Sequence, residues 1–225
     1  TVFTEETERL QYQKLQALNK VEAERSVGGT ADINFKTKIT GALTFSINQL
    51  FFYTGISKPL VLSVDGFGNY SFSNAARAVI SSGFETNLKF IYKEDLKLFV
   101  GYTYTQAELH QGNFKQENFL TPRHRLNSVL LYEVHEKWKV GLEGYFFSKQ
   151  RLSDGTTGRS YWITGFMVEK LLEKISLYIN FENFLDTRQS KYGSIYTGSI
   201  SNPLFKDIYA PLDGFVTNGG IKIRL

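Results

Sequence analysis

The stretch "KISLYINFEN", Lys174 to Asn183, alternates without a break. Ile175, Leu177, Ile179 and Phe181 take one side; Ser176, Tyr178, Asn180 and Glu182 take the other. Successive side chains of a strand point to opposite faces, so this pattern predicts a strand with one apolar and one polar face. The same period recurs on either side of it. "LKLFVGYTYT" groups Leu96, Leu98, Val100, Tyr102 and Tyr104. "WKVGLEGYF" sets Trp138, Val140, Leu142 and Phe146 against Lys139, Gly141, Glu143 and Tyr145. "ITGALTFSIN" sets Ile39, Leu43, Phe45 and Ile47 against Thr40, Thr44, Ser46 and Asn48. The alternation predicts about nine strands, over roughly 21–36, 39–54, 73–93, 95–109, 123–135, 138–151, 159–171, 174–187 and 214–225. Many exceed the common strand length of about six residues, which points to an antiparallel meander.

Composition narrows the class. The 225 residues include 19 Gly, 19 Phe and 13 Tyr but no Cys, so neither a disulfide nor a thiolate metal site is possible. Mean hydropathy is slightly negative. No apolar run reaches the roughly 18 residues of a transmembrane helix, which leaves a membrane β-barrel open. The net charge of +4 is scattered, with no basic stripe of the kind that binds nucleic acid. The first residues lack the charged-then-apolar layout of a signal peptide.

Turn lengths carry more information. Short turns near "KTKIT", "YKEDL", "HEKW" and "LLEK" alternate with long connections near 55–72, 110–122, 152–158 and 188–213. An outer-membrane barrel has this asymmetry, with short periplasmic turns and long external loops. The polar face would carry Glu22, Glu24, Asp32, Arg77, Glu85, Lys89, Glu143, Glu182, Lys222 and Arg224. Those charges are costly in a dry core and cheap in a wet or protein-filled lumen. Tyr53, Tyr92, Tyr102, Tyr104, Trp138, Phe146 and Trp162 fall near strand ends, as interfacial girdles do. A soluble β-barrel with those aromatics in its core is the rival reading.

Five segments resemble the C-terminal part of TonB-dependent outer-membrane receptors of the kind found in Bacteroidota. They are "VEAERSVGGTADINFK", "ISSGFETNLKFIY", "LTPRHRLNSVLLYE", "INFENFLDTRQSKYG" and "IYAPLDGFVTNGGIKIRL", in family order over most of the chain. Asn183, Phe184, Leu185 and Asp186 stand in the family's Asn-Leu-Phe-Asp places. Three departures bear on subfamily and ligand: Phe215 where Arg often follows Gly, a longer Asp186-to-Tyr192 spacing, and a C-terminal Leu225 in place of an aromatic. The resemblance implies an all-β fold, an antiparallel transmembrane β-barrel meander that supplies the C-terminal part of a larger barrel of about 22 strands around a plug. Residues 1–20 would be an extracellular loop with a short helix, and 21–225 the closing strands. Nine strands cannot close antiparallel, so the early strands and plug are expected elsewhere, with the interrupted end at Thr1.

The resemblance also implies a function. The whole receptor would take up a scarce ligand across the outer membrane of a Gram-negative bacterium, a ferric siderophore or haem by default. It would be no enzyme and would hold no cofactor. Its partners would be outer-membrane lipid, the missing barrel and plug, the TonB complex, the barrel-assembly machinery and a surface lipoprotein. A passive porin or structural barrel is the alternative. A barrel hydrolase would need a Ser/His or Asp/His pair on neighbouring strand tops, and the sequence offers none.

Ligand-facing candidates are the loop cations and aromatics Arg151, Arg159, Arg188, Lys191, Tyr192 and Tyr196, suited to an anionic chelate. His110 and His124 flank one long loop and are weak metal candidates; His135 falls in a short turn. "GFGNYS" reads as turn glycines. The final strand resembles the family's assembly signal, with Asn218, Gly220, Ile223 and Leu225 in its places.

Overall fold

The computed structural model describes residues 14–18, 20–67, 69–111, 114–134 and 137–223. In chain order the strands are β1 (Lys14–Leu15), β2 (Arg25–Lys38), β3 (Leu43–Ser57), β4 (Leu60–Val64) and β5 (Asn69–Asn74). There follow β6 (Val79–Tyr92), β7 (Leu96–Gln111), β8 (Phe114–Glu117), β9 (His124–Val134) and β10 (Trp138–Phe147). The last are β11 (Tyr161–Leu171), β12 (Ile175–Glu182), β13 (Tyr196–Ser199), β14 (Asn202–Phe205) and β15 (Val216–Ile223). The main sheet runs β2-β3-β6-β7-β9-β10-β11-β12-β15, each long strand beside its predecessor, as an antiparallel meander. These are the nine strands expected from the alternation. Among the described residues β2 and β15 are its two edges.

The differences lie in the connections. The expected strand over 73–93 is two, β5 and β6, and the 55–72 connection holds the β4–β5 hairpin. The 188–213 connection holds a second hairpin, β13–β14. β12 stops at Glu182 instead of running to 187, because Asn183 (φ 48°) and Asp186 (φ 52°) turn the chain into the left-handed region. Glu22, Glu24 and Arg77 lie outside the long strands. The expected helix within 1–20 falls mostly outside the described residues; Lys14–Leu15 form a short strand parallel to β5.

Contacts divide the chain into two units. The first takes residues 1–29, 52–82 and 106–118 and contains the β1-β5-β4 sheet. A polar clasp holds it: Glu22 N donates to Asn74 Oδ1 (2.7 Å), and Asn74 Nδ2 donates to the Glu22 and Lys58 carbonyls. Lys58 and Glu22 also pair through their side chains. Gly28 is obligatory there, since a Cβ would stand 2.6 Å from the Tyr53 carbonyl oxygen.

The second unit takes residues 30–51, 83–105 and 119–225. Its register lines up one apolar face. Leu98, Leu130, Leu142, Phe166 and Phe181 form one row across β7, β9, β10, β11 and β12. Leu96, Tyr132, Val140, Val168 and Ile179 form the next. Leu177 and Ile175 continue it against Ile221 and Ile223 on β15. Aromatics rim this face. Tyr102, Tyr104, Phe84, Phe146 and Trp162 stand at the long-loop end, in ring contacts such as Phe146–Trp162 at 5.2 Å. Trp138 and Tyr132 stand at the short-turn end.

Among the described residues no element packs over this face. Among the described residues the buried apolar side chains are Phe72, Leu152, Tyr161, Leu171 and Ala210, whereas Ile221 and Ile223 are 66% and 69% exposed.

Candidate functional site

The polar face of the second unit carries a charge ladder near the short turns. Glu133 Oε2 lies 3.4 Å from Lys97 Nζ and its Oε1 3.0 Å from Lys139 Nζ. Lys139 is directly opposite Glu169 on β11, and Glu169 Oε1 meets Lys222 Nζ at 3.1 Å. The Ser176 hydroxyl donates to the same oxygen (2.7 Å). Signs therefore alternate from β7 to β15, which satisfies each charge laterally while leaving the row facing open space. Further up the same face Glu143, Asn180, Asn218 and Tyr178 line a groove of about 390 Å³. Gly165 and Gly220 make room in it: Glu143 lies over Gly165, and a Cβ on Gly220 would stand 2.8 Å from the Tyr178 hydroxyl.

At the opposite end two loops, 148–160 and 183–215, are locked together. Gln189, buried, donates to the Asp207 carbonyl (2.7 Å) and accepts from Tyr209 N and Ala210 N. Gln150 Nε2 and the Tyr161 hydroxyl both donate to the Tyr209 carbonyl, and Ser153 N donates to Asp207 Oδ2. Asn183 clamps the root of the second loop: its Oδ1 accepts from Thr187 N, and its Nδ2 donates to the Thr187 and Asp213 carbonyls. Together the loops enclose a polar cavity of about 180 Å³ lined by Asp154, Thr156, Tyr192, Ser194, Lys206 and Tyr209 among others.

The loop cations expected to face a ligand divide into two kinds. Arg188 Nη2 (2.9 Å) and Lys191 Nζ (2.6 Å) both bind Asp186 Oδ2, while Asp186 Oδ1 accepts the Phe215 amide (3.0 Å). The Lys191 hydrogen bond, and after it the Phe215 amide, hold the Asp186 carboxyl below its ordinary range. Thr156, through its hydroxyl and its amide, does the same for Asp154. Arg188 and Lys191 are thus structural ties of the loop. Arg159 instead rests its guanidinium 5.8 Å from the Tyr192 ring, beside the cavity. Arg151 forms an isolated bridge with Thr157, and Tyr196 packs edge-on against Phe205 on the β13–β14 hairpin.

Of the histidines, His124 lies on the apolar face, its Nδ1 2.7 Å from the Tyr102 hydroxyl, and His110 Nε2 is 3.6 Å from Glu108. Among the described residues no group of three or more His, Asp or Glu is arranged to hold a metal; His135 lies outside those residues. In the last strand Asn218 Nδ2 donates to Glu182 (2.8 Å), Gly220 lies under Tyr178, and Ile223 pairs with Ile175. Leu225 lies outside the described residues. Sequence reading missed Gln189 and Asn183 as organisers of the loops, since a buried amide leaves no periodic trace. It missed the ladder as a unit because only register brings Glu133, Lys139 and Glu169 into one row, with Lys222 reaching Glu169 diagonally from two residues along β15.

No protein-family model matches this sequence, and no curated protein does. Solved structures do. The siderophore receptor PirA from Acinetobacter baumannii superposes with a TM-score of 0.60 at 17% identity, over 93% of this chain and 33% of PirA. The FrpB iron transporter from Neisseria meningitidis gives 0.57 at 13%, over 92% of this chain and 32% of FrpB. The copper transporter OprC gives 0.63 at 12%, over 92% and 32%. The chain spans about a third of the length of these proteins. Its all-β meander has the fold of the barrel part of TonB-dependent receptors.

Proposed function

We propose that this chain forms the closing wall of a TonB-dependent transporter in the outer membrane of a Gram-negative bacterium. The apolar face then meets lipid and the polar face lines the lumen. One observation carries this reading: a continuous apolar face bounded at both ends by aromatics, backed by a face of paired charges. From Trp138 to Phe146 β10 takes nine residues rim to rim, and a tilted membrane strand needs about 9–11. Among the described residues no second layer covers the apolar face, where Ile221 and Ile223 stand exposed, whereas a soluble sandwich buries the apolar faces of its two sheets against each other.

In this reading β2 and β15 pair with strands outside this chain, the charge ladder faces the plug, and residues 183–215 belong to the outer loops. Residues 1–20 form another outer loop. Asn218, Gly220, Ile223 and Leu225 present the final strand to the assembly machinery. Arg151, Arg159, Tyr192 and Tyr196 meet the cargo, an anionic ferric siderophore or haem, with a surface lipoprotein as an accessory. Two cheap tests apply to the full-length protein. It should resist extraction from membranes by carbonate and urea. It should also restore growth on a ferric siderophore under iron limitation only while the inner-membrane energy supply is intact. Uptake that persists without energy would make it a passive porin and would sink the transporter reading.

A further inference from the structure

We infer that Lys170 and Trp138 form a binding site for the phosphate headgroup of an anionic lipid, on the apolar face at its short-turn rim. The inference rests on the reading of that face as lipid-facing. From the Trp138 row to the Tyr104 row, Lys170 is the one Lys, Arg, Asp or Glu among the described residues that the register places on that face across β7, β9, β10, β11, β12 and β15; Glu108 shares the face of β7 but lies beyond Tyr104, where β7 pairs with β8. Its direct neighbours are Trp138 on β10 and Leu177 on β12. Its Nζ stands 4.3 Å from the centre of the Trp138 ring.

A cation among apolar side chains is costly unless it meets an anion or reaches water. No carboxylate pairs with Lys170 among the described residues. Glu169 next to it points to the opposite face, into the ladder with Lys222. The indole holds the ammonium through its ring face, which leaves donors directed away from the ring. Lys137 and Lys174 in the flanking turns are each preceded in sequence by an acid, Glu136 and Glu173, so the turns add no net charge to that of Lys170; the Leu171 amide donates to the Lys137 carbonyl, so the first turn abuts the end of β11. The arrangement recurs on the turn after β6, where Lys93 stands 5.4 Å from the Tyr92 ring. At the long-loop rim the register places no Lys or Arg among Tyr102, Tyr104, Phe146 and Trp162. Cations seated on aromatics at one rim suit a layer of phosphate headgroups at that level.

The full-length protein, placed in nanodiscs of phosphatidylcholine with or without phosphatidylglycerol, tests this. Native mass spectrometry should show phosphatidylglycerol retained in preference to phosphatidylcholine. Lys170→Gln should weaken that retention about fivefold, the value of one lysine at a lipid surface, and Lys170→Arg should keep it. Emission assigned to Trp138, taken as wild type minus Trp138→Phe, should be quenched more by brominated phosphatidylglycerol than by brominated phosphatidylcholine. Equal retention by wild type and Lys170→Gln overturns the site and leaves a lysine that merely reaches water. Inorganic phosphate in detergent displacing the lipid as well as phosphatidylglycerol does overturns the lipid as its source. If no brominated lipid quenches Trp138 at all, the lipid-facing reading itself fails.

Discussion

Glu169 on β11 and Lys222 on β15 meet at 3.1 Å although β12 runs between their strands. The bridge is possible because β12 presents Ser176 beneath it, 1% exposed and hydrogen-bonded to the same carboxylate. A small polar residue at that position lets two long side chains cross it.

Ser176→Leu should therefore cost more than loss of the ion pair. Lys222 is 58% exposed, and screening limits such a pair to at most about 1 kcal/mol, which is what Glu169→Gln should remove. Leucine at 176 forces the two side chains apart and overfills the row, at about 1–3 kcal/mol. Urea midpoints in detergent should rank wild type, then Glu169→Gln, then Ser176→Leu. The reverse order would mean Ser176 is a bystander.

Leu142 and Glu143 are consecutive residues on opposite faces of β10. Leu142 is halfway between the rims. Leu142→Arg should destabilise the assembled protein by about 2–4 kcal/mol, the cost of a midplane cation facing lipid, whereas Glu143→Arg should assemble normally. Membrane fractionation and heat-modifiable gel mobility check both. Equal tolerance at the two positions would contradict the assignment of faces.

Asp186 predicts an acid-sensitive loop root. Lys191, then the Phe215 amide, lower its carboxyl pKa below the ordinary 3.8. A carboxylate with a lowered folded-state value stabilises fully above its unfolded value and loses that contribution as pH falls through the folded one. The Phe215 amide should thus be protected from exchange at neutral pH and become exposed only below the ordinary carboxylate range. Asp186→Asn should remove the pH dependence, and hydrogen exchange reads it directly. Unchanged protection in the variant would refute the role.

Loop cations of the two kinds should separate in binding assays. Arg159→Ala leaves the Asp186 tie intact, so cargo affinity should fall about tenfold with no change in loop protection. Lys191→Ala should loosen the loop first, raising exchange at Phe215 before affinity changes. Titration of the full-length protein with a ferric chelate, alongside exchange measurements, distinguishes them. Coincident losses in both variants would mean Arg159 is structural as well.

The nine long strands could be read from the sequence because most of them alternate along their own length, and a period of two needs no partner to be visible. Ile175, Leu177, Ile179 and Phe181 announce β12 unaided. What ends β12 could not be read: Asn183 and Asp186 adopt positive φ because Thr187, Asp213 and Phe215, up to 30 residues away in sequence, complete their hydrogen bonds. The β13–β14 hairpin lacks alternation and is exposed throughout β13, so no buried face patterned its sequence. Among the site candidates the residue types were legible but their occupations were not. Nothing in the sequence separates Arg188, spent on Asp186, from Arg159, set on Tyr192.

The order of the main sheet, with each long strand beside its predecessor, has a consequence for heredity. Strand direction alternates, so the smallest piece that can be lost or duplicated without reversing everything downstream is a pair. Excising β10 and β11 together would bring β9 beside β12 still antiparallel, with inner and outer faces preserved. Excising either one alone would turn every later loop to the wrong side. Such a wall can change its circumference only in steps of one hairpin, and each step leaves the chemistry of the remaining strands where it was.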